Sequence, residues 1–131
     1  MDLDKLNRHY EMIEKLRNMQ EMYQSMEAKA LGSQKLTGMP HGTDVNDKVS
    51  MLAAELADLS GRIDYLKEQV AESANEIREW TNTIEDERTR MIFRLRYLHG
   101  YAWCEVADLL PNRLSEEAVK LVCYRYLDIT S

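Results

Sequence analysis

The sequence predicts an all-α fold: a long antiparallel helical hairpin of the coiled-coil kind, then a small C-terminal three-helix domain containing a helix-turn-helix. Three observations predict it. Apolar residues recur every three or four positions over two long stretches, the period of one helix face. The 131 residues include only 5 Gly and 2 Pro while 31% are charged, a composition that suits long solvated helices better than sheets. Beyond about residue 82 the long pattern gives way to short apolar segments separated by turn residues. The expected division is therefore 1–81 for the hairpin, with its loop at about 32–44, and 82–131 for the small domain.

The first helix is read from Leu3, Leu6, Tyr10, Ile13, Leu16, Met19, Tyr23, Met26 and Ala30, which fall on one narrow stripe. With no Gly or Pro before Gly32, it should run for about 28 residues, roughly 42 Å at the helical rise. Residues 32–44 hold three of the five glycines and one of the two prolines, which marks a loop. Thr43 or Asp44 is the expected cap of the next helix. The second helix carries Val49, Leu52, Leu56, Leu59, Ile63, Leu66, Val70, Ala74, Ile77 and Ile84 in near-heptad register, with Gly61 as its one interior breaker. Two narrow stripes facing each other leave little core, so self-association of residues 1–81 into a dimer or larger bundle is expected. The methionines along the first stripe (Met12, Met19, Met22, Met26) are read as packing residues, not ligands.

In the C-terminal fifty residues, Ile84, Met91, Ile92, Leu95 and Leu98 predict a wider apolar face on a helix that also bears Arg88, Arg90, Arg94 and Arg96. Gly100, after His99, is placed to end it. A short helix is expected from Trp103 to Leu110, burying Val106, Ala107 and Leu110, with Trp103 closing the core. Pro111 to Leu114 form the turn. Ser115 then caps the last helix, Glu116 and Glu117 sit in its first turn where the helix dipole favours acids, and Val119, Val122, Cys123 and Tyr126 turn inward. That order is a helix-turn-helix layout.

Charge and chemistry narrow the function. The formal net charge of −6 argues against indiscriminate adhesion to nucleic acid, since such binding rests on neutralising phosphates. Residues 82–131 are close to neutral, so a basic face is still open there. Cys104 and Cys123 form no Cys-x-x-Cys pair and read as small apolar residues. The three histidines, His9, His41 and His99, fall in separate elements, and no phosphate loop, metal-ligand spacing or activated nucleophile is visible. Neither an enzyme nor a cofactor is expected. No apolar run reaches membrane-spanning length, and the acidic, helix-like start is not that of a secretory signal, so a cytoplasmic protein without a membrane partner is expected.

The run RLRYLHGYAWCEVADLL at 94–110, followed by SEEAVKLVCYRYL at 115–127, resembles the promoter-recognising C-terminal region of sigma factors. The likeness rests on Leu-Arg-Tyr ahead of a Gly, on Glu-Val-Ala-x-x-Leu in the support helix and on Ser-x-x-x-Val-Lys in the recognition helix. It covers about the last 45 residues. Over its whole length the chain is similar to small sigma-like phage regulators of the ArpU/RinA type, which share a loop like TGMPHGTD at 37–44. Ala102 stands where such motifs have Ser or Thr, Pro111 where Gly is common, and Leu121 and Val122 at positions often basic.

The resemblance implies a sequence-specific transcription regulator in a bacterial cell, phage or prophage encoded, acting as an oligomer on double-stranded DNA, with RNA polymerase as a further expected partner. With the last helix in a major groove, Glu116, Glu117, Lys120, Leu121 and Tyr124 would face the bases. Lys120 would reach guanine or phosphate, and Glu116 or Glu117 a cytosine amino group. Arg113 and Arg125 are the expected phosphate clamps, with Ser115 at the helix start and Arg94 and Arg96 adding to a basic rim. The bland readings stand beside these: the glutamates as dipole partners, Arg94 and Arg96 as partners of Glu85, Asp86 or Glu87, and Tyr124 as a surface ring. Two other functions also fit the layout. One is a terminase-small-subunit-like packaging protein, the other a helical adaptor whose helix-turn-helix contacts protein.

Overall fold

The computed structural model describes residues 1–35 and 43–130. The fold is all-α, and no strand occurs among the described residues. Helix α1 spans Leu3–Lys35 and α2 spans Thr43–Thr81; they are followed by α3 (Glu87–Phe93), α4 (Trp103–Leu109) and α5 (Glu116–Thr130). The first helix is thus longer than the sequence predicts, because Gly32 is absorbed into it rather than ending it. Most of the expected loop, with the TGMPHG run, lies outside the described residues, as do the side chains of the expected caps Thr43 and Asp44.

The chain divides into two compact units, and the division does not fall at 81/82. The first comprises Met1–Glu14 and Gln69–Ser131; the second comprises Lys15–Glu68. The core of the first unit explains why. Leu6 of α1 and Ile77 of α2 share one buried cluster with Ile84, Ile92, Phe93, Tyr97, Trp103, Val106, Val119, Cys123 and Leu127. Three short helices have too few apolar faces to enclose a core by themselves, and the ends of both long helices supply the missing wall. The antiparallel sense of α1 and α2 is fixed here by two contacts: Lys5 pairs with Glu76, and His9 Nδ1 meets Ser73 Oγ at 2.8 Å.

An aromatic group fills the centre of this core. Trp80 meets Phe93 edge to face at 4.9 Å between ring centres, and Phe93 also packs on Tyr126 and Tyr97 at 5.7 and 6.1 Å. Ile92 is buried as expected, and with it Phe93 and Tyr97 take the place expected of Met91. The heptad register of α2 does not carry through. Residues 82–86 leave the helix, and α3 restarts on an Asp86 cap that accepts from Thr89 N at 3.0 Å and Thr89 Oγ1 at 2.7 Å. Those two bonds hold the Asp86 carboxyl below its usual range. The restart turns 92, 93 and 97 inward and leaves Met91 exposed.

From Arg94 to Leu98 the helix widens into a π-helical turn, with His99 N donating to Arg94 O at 3.0 Å. It ends as the sequence predicts, on Gly100 in the left-handed region at φ 73°. Tyr101 N closes the turn onto Leu95 O at 3.1 Å.

The second unit is a plain two-helix stretch. The predicted stripes face inward: Leu16, Met19, Tyr23 and Met26 on α1 and Leu52, Leu56 and Leu59 on α2 are half-buried, and Ile63 and Leu66 are buried.

Candidate nucleic-acid interface

The helix-turn-helix is α4, residues 110–115 and α5. Trp103 starts α4 and is buried, as expected, against Tyr97 at 6.2 Å in an edge-to-face contact. Ala102 offers no side-chain cap, but half of a capping box remains: Glu105 Oε1 accepts the Ala102 N–H at 3.2 Å. This bond satisfies one backbone N–H at the helix start, but it does not replace the side-chain cap that Ser or Thr would supply. The connection is longer than the four-residue turn read from sequence, because α4 stops at Leu109 and Leu110 is already extended at φ −89° and ψ 145°. Asn112 and Arg113 both take positive φ, 77° and 45°, a conformation that costs a non-Gly residue about 1–2 kcal/mol.

Ser115 does what the sequence predicts: its Oγ accepts the Ala118 N–H at 3.1 Å and starts α5. From there the helix has two distinct sides. Val119, Cys123 and Leu127 are buried, and burial pushes the Cys123 thiol up to about 12, so it stays a neutral apolar group. Glu116, Glu117, Leu121, Tyr124 and Arg125 are exposed. Arg113 in the turn is exposed as well. All seven predicted DNA-binding residues therefore fall on the turn and the first ten residues of α5. Tyr124 is 38% exposed and leans edge-on toward Trp103 at 6.5 Å, which fixes its ring without covering it.

Electrostatics differ from the sequence expectation. Lys120 is half-buried and sits 3.6 Å from both Glu116 Oε1 and Glu117 Oε1. Its charge is matched before any ligand arrives. Pairs this exposed are weak, about 0–1 kcal/mol each, so a phosphate or a guanine can compete for the ammonium.

Arg94 and Arg96 do not form a basic rim, nor do they pair with Glu85, Asp86 or Glu87. Arg94 donates to Thr81 Oγ1 at 3.1 Å and to Asn82 Oδ1 at 2.5 Å, bracing the 82–86 break. Arg96 lies over two rings, 3.6 Å from the Tyr10 centroid and 4.5 Å from that of Trp103, and donates to Tyr101 O at 3.2 Å. It is Arg90 that pairs with Glu87, at 2.7 Å, while also donating twice to Ile84 O. Three of the four arginines on this segment thus hold the domain together. Cys104, expected among apolar neighbours, is exposed.

Sequence reasoning also missed His9. It is buried, with Nδ1 on Ser73 and Nε2 without a hydrogen bond of good geometry. Desolvation lowers its pKa, and the Tyr97 backbone pulls more weakly the other way. The spacing of His9, three residues after Leu6 and four before Ile13, puts it beside Tyr10 on the same side of the helix, and that is the sequence signal of its enclosure. No described helix is long and apolar enough to cross a membrane. Comparison of the chain with family models, with curated proteins and with solved structures returned no match.

Proposed function

We propose that the chain is a sequence-specific DNA-binding transcription regulator, acting as an oligomer through residues 1–81, with α5 laid in the major groove. The observation that carries this reading is the two-sidedness of α5: one side is locked into the core of its unit, while Glu116, Glu117, Leu121, Tyr124 and Arg125 are exposed. A helix held rigidly along one side and bare along the other can enter a groove without refolding. Arg113 and Arg125 position the helix on phosphates, and Lys120 exchanges its two glutamates for a base edge or a phosphate. With three cations at this surface, affinity should depend only modestly on salt, with a log–log slope of about −3 per subunit.

The test is selection of bound duplexes from a random pool, followed by anisotropy titrations of the selected sequence. Lys120→Ala and Arg125→Ala should each weaken binding about tenfold, Lys120→Ala also relaxing base preference at one position. Absence of any enriched sequence, or unchanged affinity in both variants, would remove the proposal. A second reading, an adaptor whose α5 docks on protein, is favoured by Leu121, 45% exposed in the middle of the outer side. Under that reading Leu121→Glu abolishes partner capture while Lys120→Ala leaves it intact.

A further inference from the structure

The second unit carries a second, solvent-exposed stripe on α2. Met51, Glu55, Asp58, Arg62 and Tyr65 follow one another on α2 at spacings of four, three, four and three, so they share one side of the helix. All five are exposed, and the two apolar ends are conspicuously so: Met51 is 69% and Tyr65 is 64% exposed. This side is distinct from the inward stripe of Leu52, Leu56, Leu59, Ile63 and Leu66. Beside it runs an open groove lined by Met22 and Met26 of α1 together with Glu55, Asp58, Leu59 and Arg62. Met22 is itself 55% exposed.

The order of residues on the stripe is self-complementary about Asp58. A two-fold axis at that position brings Met51 of one copy onto Tyr65 of the other, and Glu55 to within one residue, about 1.5 Å of helical rise, of Arg62, each contact occurring twice. Apolar meets apolar, and acid meets base. At the axis, each Asp58 is already matched by its own Arg62, with Nε and Oδ2 3.1 Å apart. A parallel pairing in register would instead set Glu55 against Glu55 and Arg62 against Arg62. We infer that this side of α2 is where a second copy of the chain docks, antiparallel and about a two-fold axis at Asp58. The need is plain from burial: among the described residues of the unit, only Ile63 and Leu66 are buried. A two-helix stretch with so little core is marginal until another pair of helices covers it. The docking deepens the oligomeric part of the proposed function, yet it requires no DNA.

The experiment uses the full chain, without DNA, in sedimentation equilibrium over a wide concentration range. A dimer is expected. Glu55→Arg or Arg62→Glu alone sets like charges together at both symmetric contacts and should raise the dimer dissociation constant about tenfold, while the E55R/R62E double variant should return it to the starting value. In a Cys104→Ser background, Asp58→Cys should be linked between subunits by a short bismaleimide. Met51→Cys should not, since the two copies of residue 51 lie about 21 Å apart along antiparallel helices. A monomer at all concentrations, a double variant no better than the singles, or linkage through residue 51 but not 58 would each overturn the inference. Because mass is read without nucleic acid, a failed DNA titration leaves this result standing, and a monomer leaves DNA binding by a single subunit open to its own test.

Discussion

The two units are built from the same two long helices, yet they are stabilised in different ways. In the first, residues distant in sequence, from Leu6 to Leu127, enclose a closed core in which aromatic rings meet edge to face. In the second, two stripes meet along one seam and most of their residues are left half-exposed. Amphipathic periodicity is equally clear in both. The difference teaches that periodicity states which side of a helix is apolar, but not how many neighbours will cover it. Coverage comes from elements that arrive from elsewhere in the chain, or from another chain. The contrast also suits the proposed division of labour, in which a rigid unit presents α5 and a marginal one assembles.

The sharpest way to break that contrast is to truncate one residue in each unit. Phe93 touches Trp80, Tyr97 and Tyr126 and is fully buried. Phe93→Ala should cost about 3–5 kcal/mol in urea-induced unfolding. Leu59→Ala in the second unit, where the side chain is half-buried, should cost clearly less, about 1–2 kcal/mol. Equal losses at the two positions would mean that the second unit is as closed as the first.

Arg96 tests how the closed core is joined. Its guanidinium lies between the Tyr10 ring of α1 and the Trp103 ring at the start of α4. Arg96→Ala should destabilise by about 2 kcal/mol, through both the lost cation–π contacts and the lost cover of its alkyl stem. Arg96→Lys should restore less than half of that, because an ammonium cannot lie flat between two rings. Full rescue by lysine would show that charge alone matters at this position.

Legibility in the sequence followed the same contrast. The stripes of α1 and α2, the Gly100 stop and the Ser115 cap were legible because each depends on residues within a turn or two of one another. Phe93 and Tyr97 are not legible because the near-heptad spacing continues in sequence through 82–86, where the helix in fact breaks and restarts on Asp86. The roles of Arg94 and Arg96 are not legible because their partners, Thr81, Tyr10 and Trp103, are fixed by packing rather than by spacing. The exposed side of α5 was legible as a surface. The pairing of Lys120 with Glu116 and Glu117 is local too, at i−4 and i−3, and could have been read from spacing alone.

His9 makes the closed unit sensitive to pH. Its pKa in the folded chain lies below the ordinary 6.5, so the unfolded chain takes up the proton first. Above 6.5 the ring is neutral in both states and has no effect on the balance. As pH falls below 6.5 the unfolded state gains a proton that the folded state refuses, and stability declines until the folded pKa is reached. The slope cannot exceed about 1.4 kcal/mol per pH unit for one group. Urea midpoints measured from pH 7.5 down to 5 should show this decline, and His9→Gln should flatten it. An unchanged slope in that variant would assign the decline to other groups.

The smallest change goes in the opposite direction and sharpens the contrast most. Gly61 lies inside α2, exposed, and a Cβ built there meets nothing within 4 Å. Nothing in its surroundings therefore requires glycine, and Gly61→Ala should stabilise by about 0.5–1 kcal/mol, mainly by narrowing the unfolded ensemble. If the second unit opens on its own, ahead of the first, amide exchange near residues 55–68 should slow about two- to fivefold while amides of α3 and α5 keep their rates. If instead all amides slow together, the two units unfold as one, and the difference in burial between them has no counterpart in cooperativity. The position lies three residues after Asp58 and four before Tyr65, so it flanks the stripe assigned to the second copy. A shift in the monomer–dimer equilibrium of Gly61→Ala would extend that interface to residue 61.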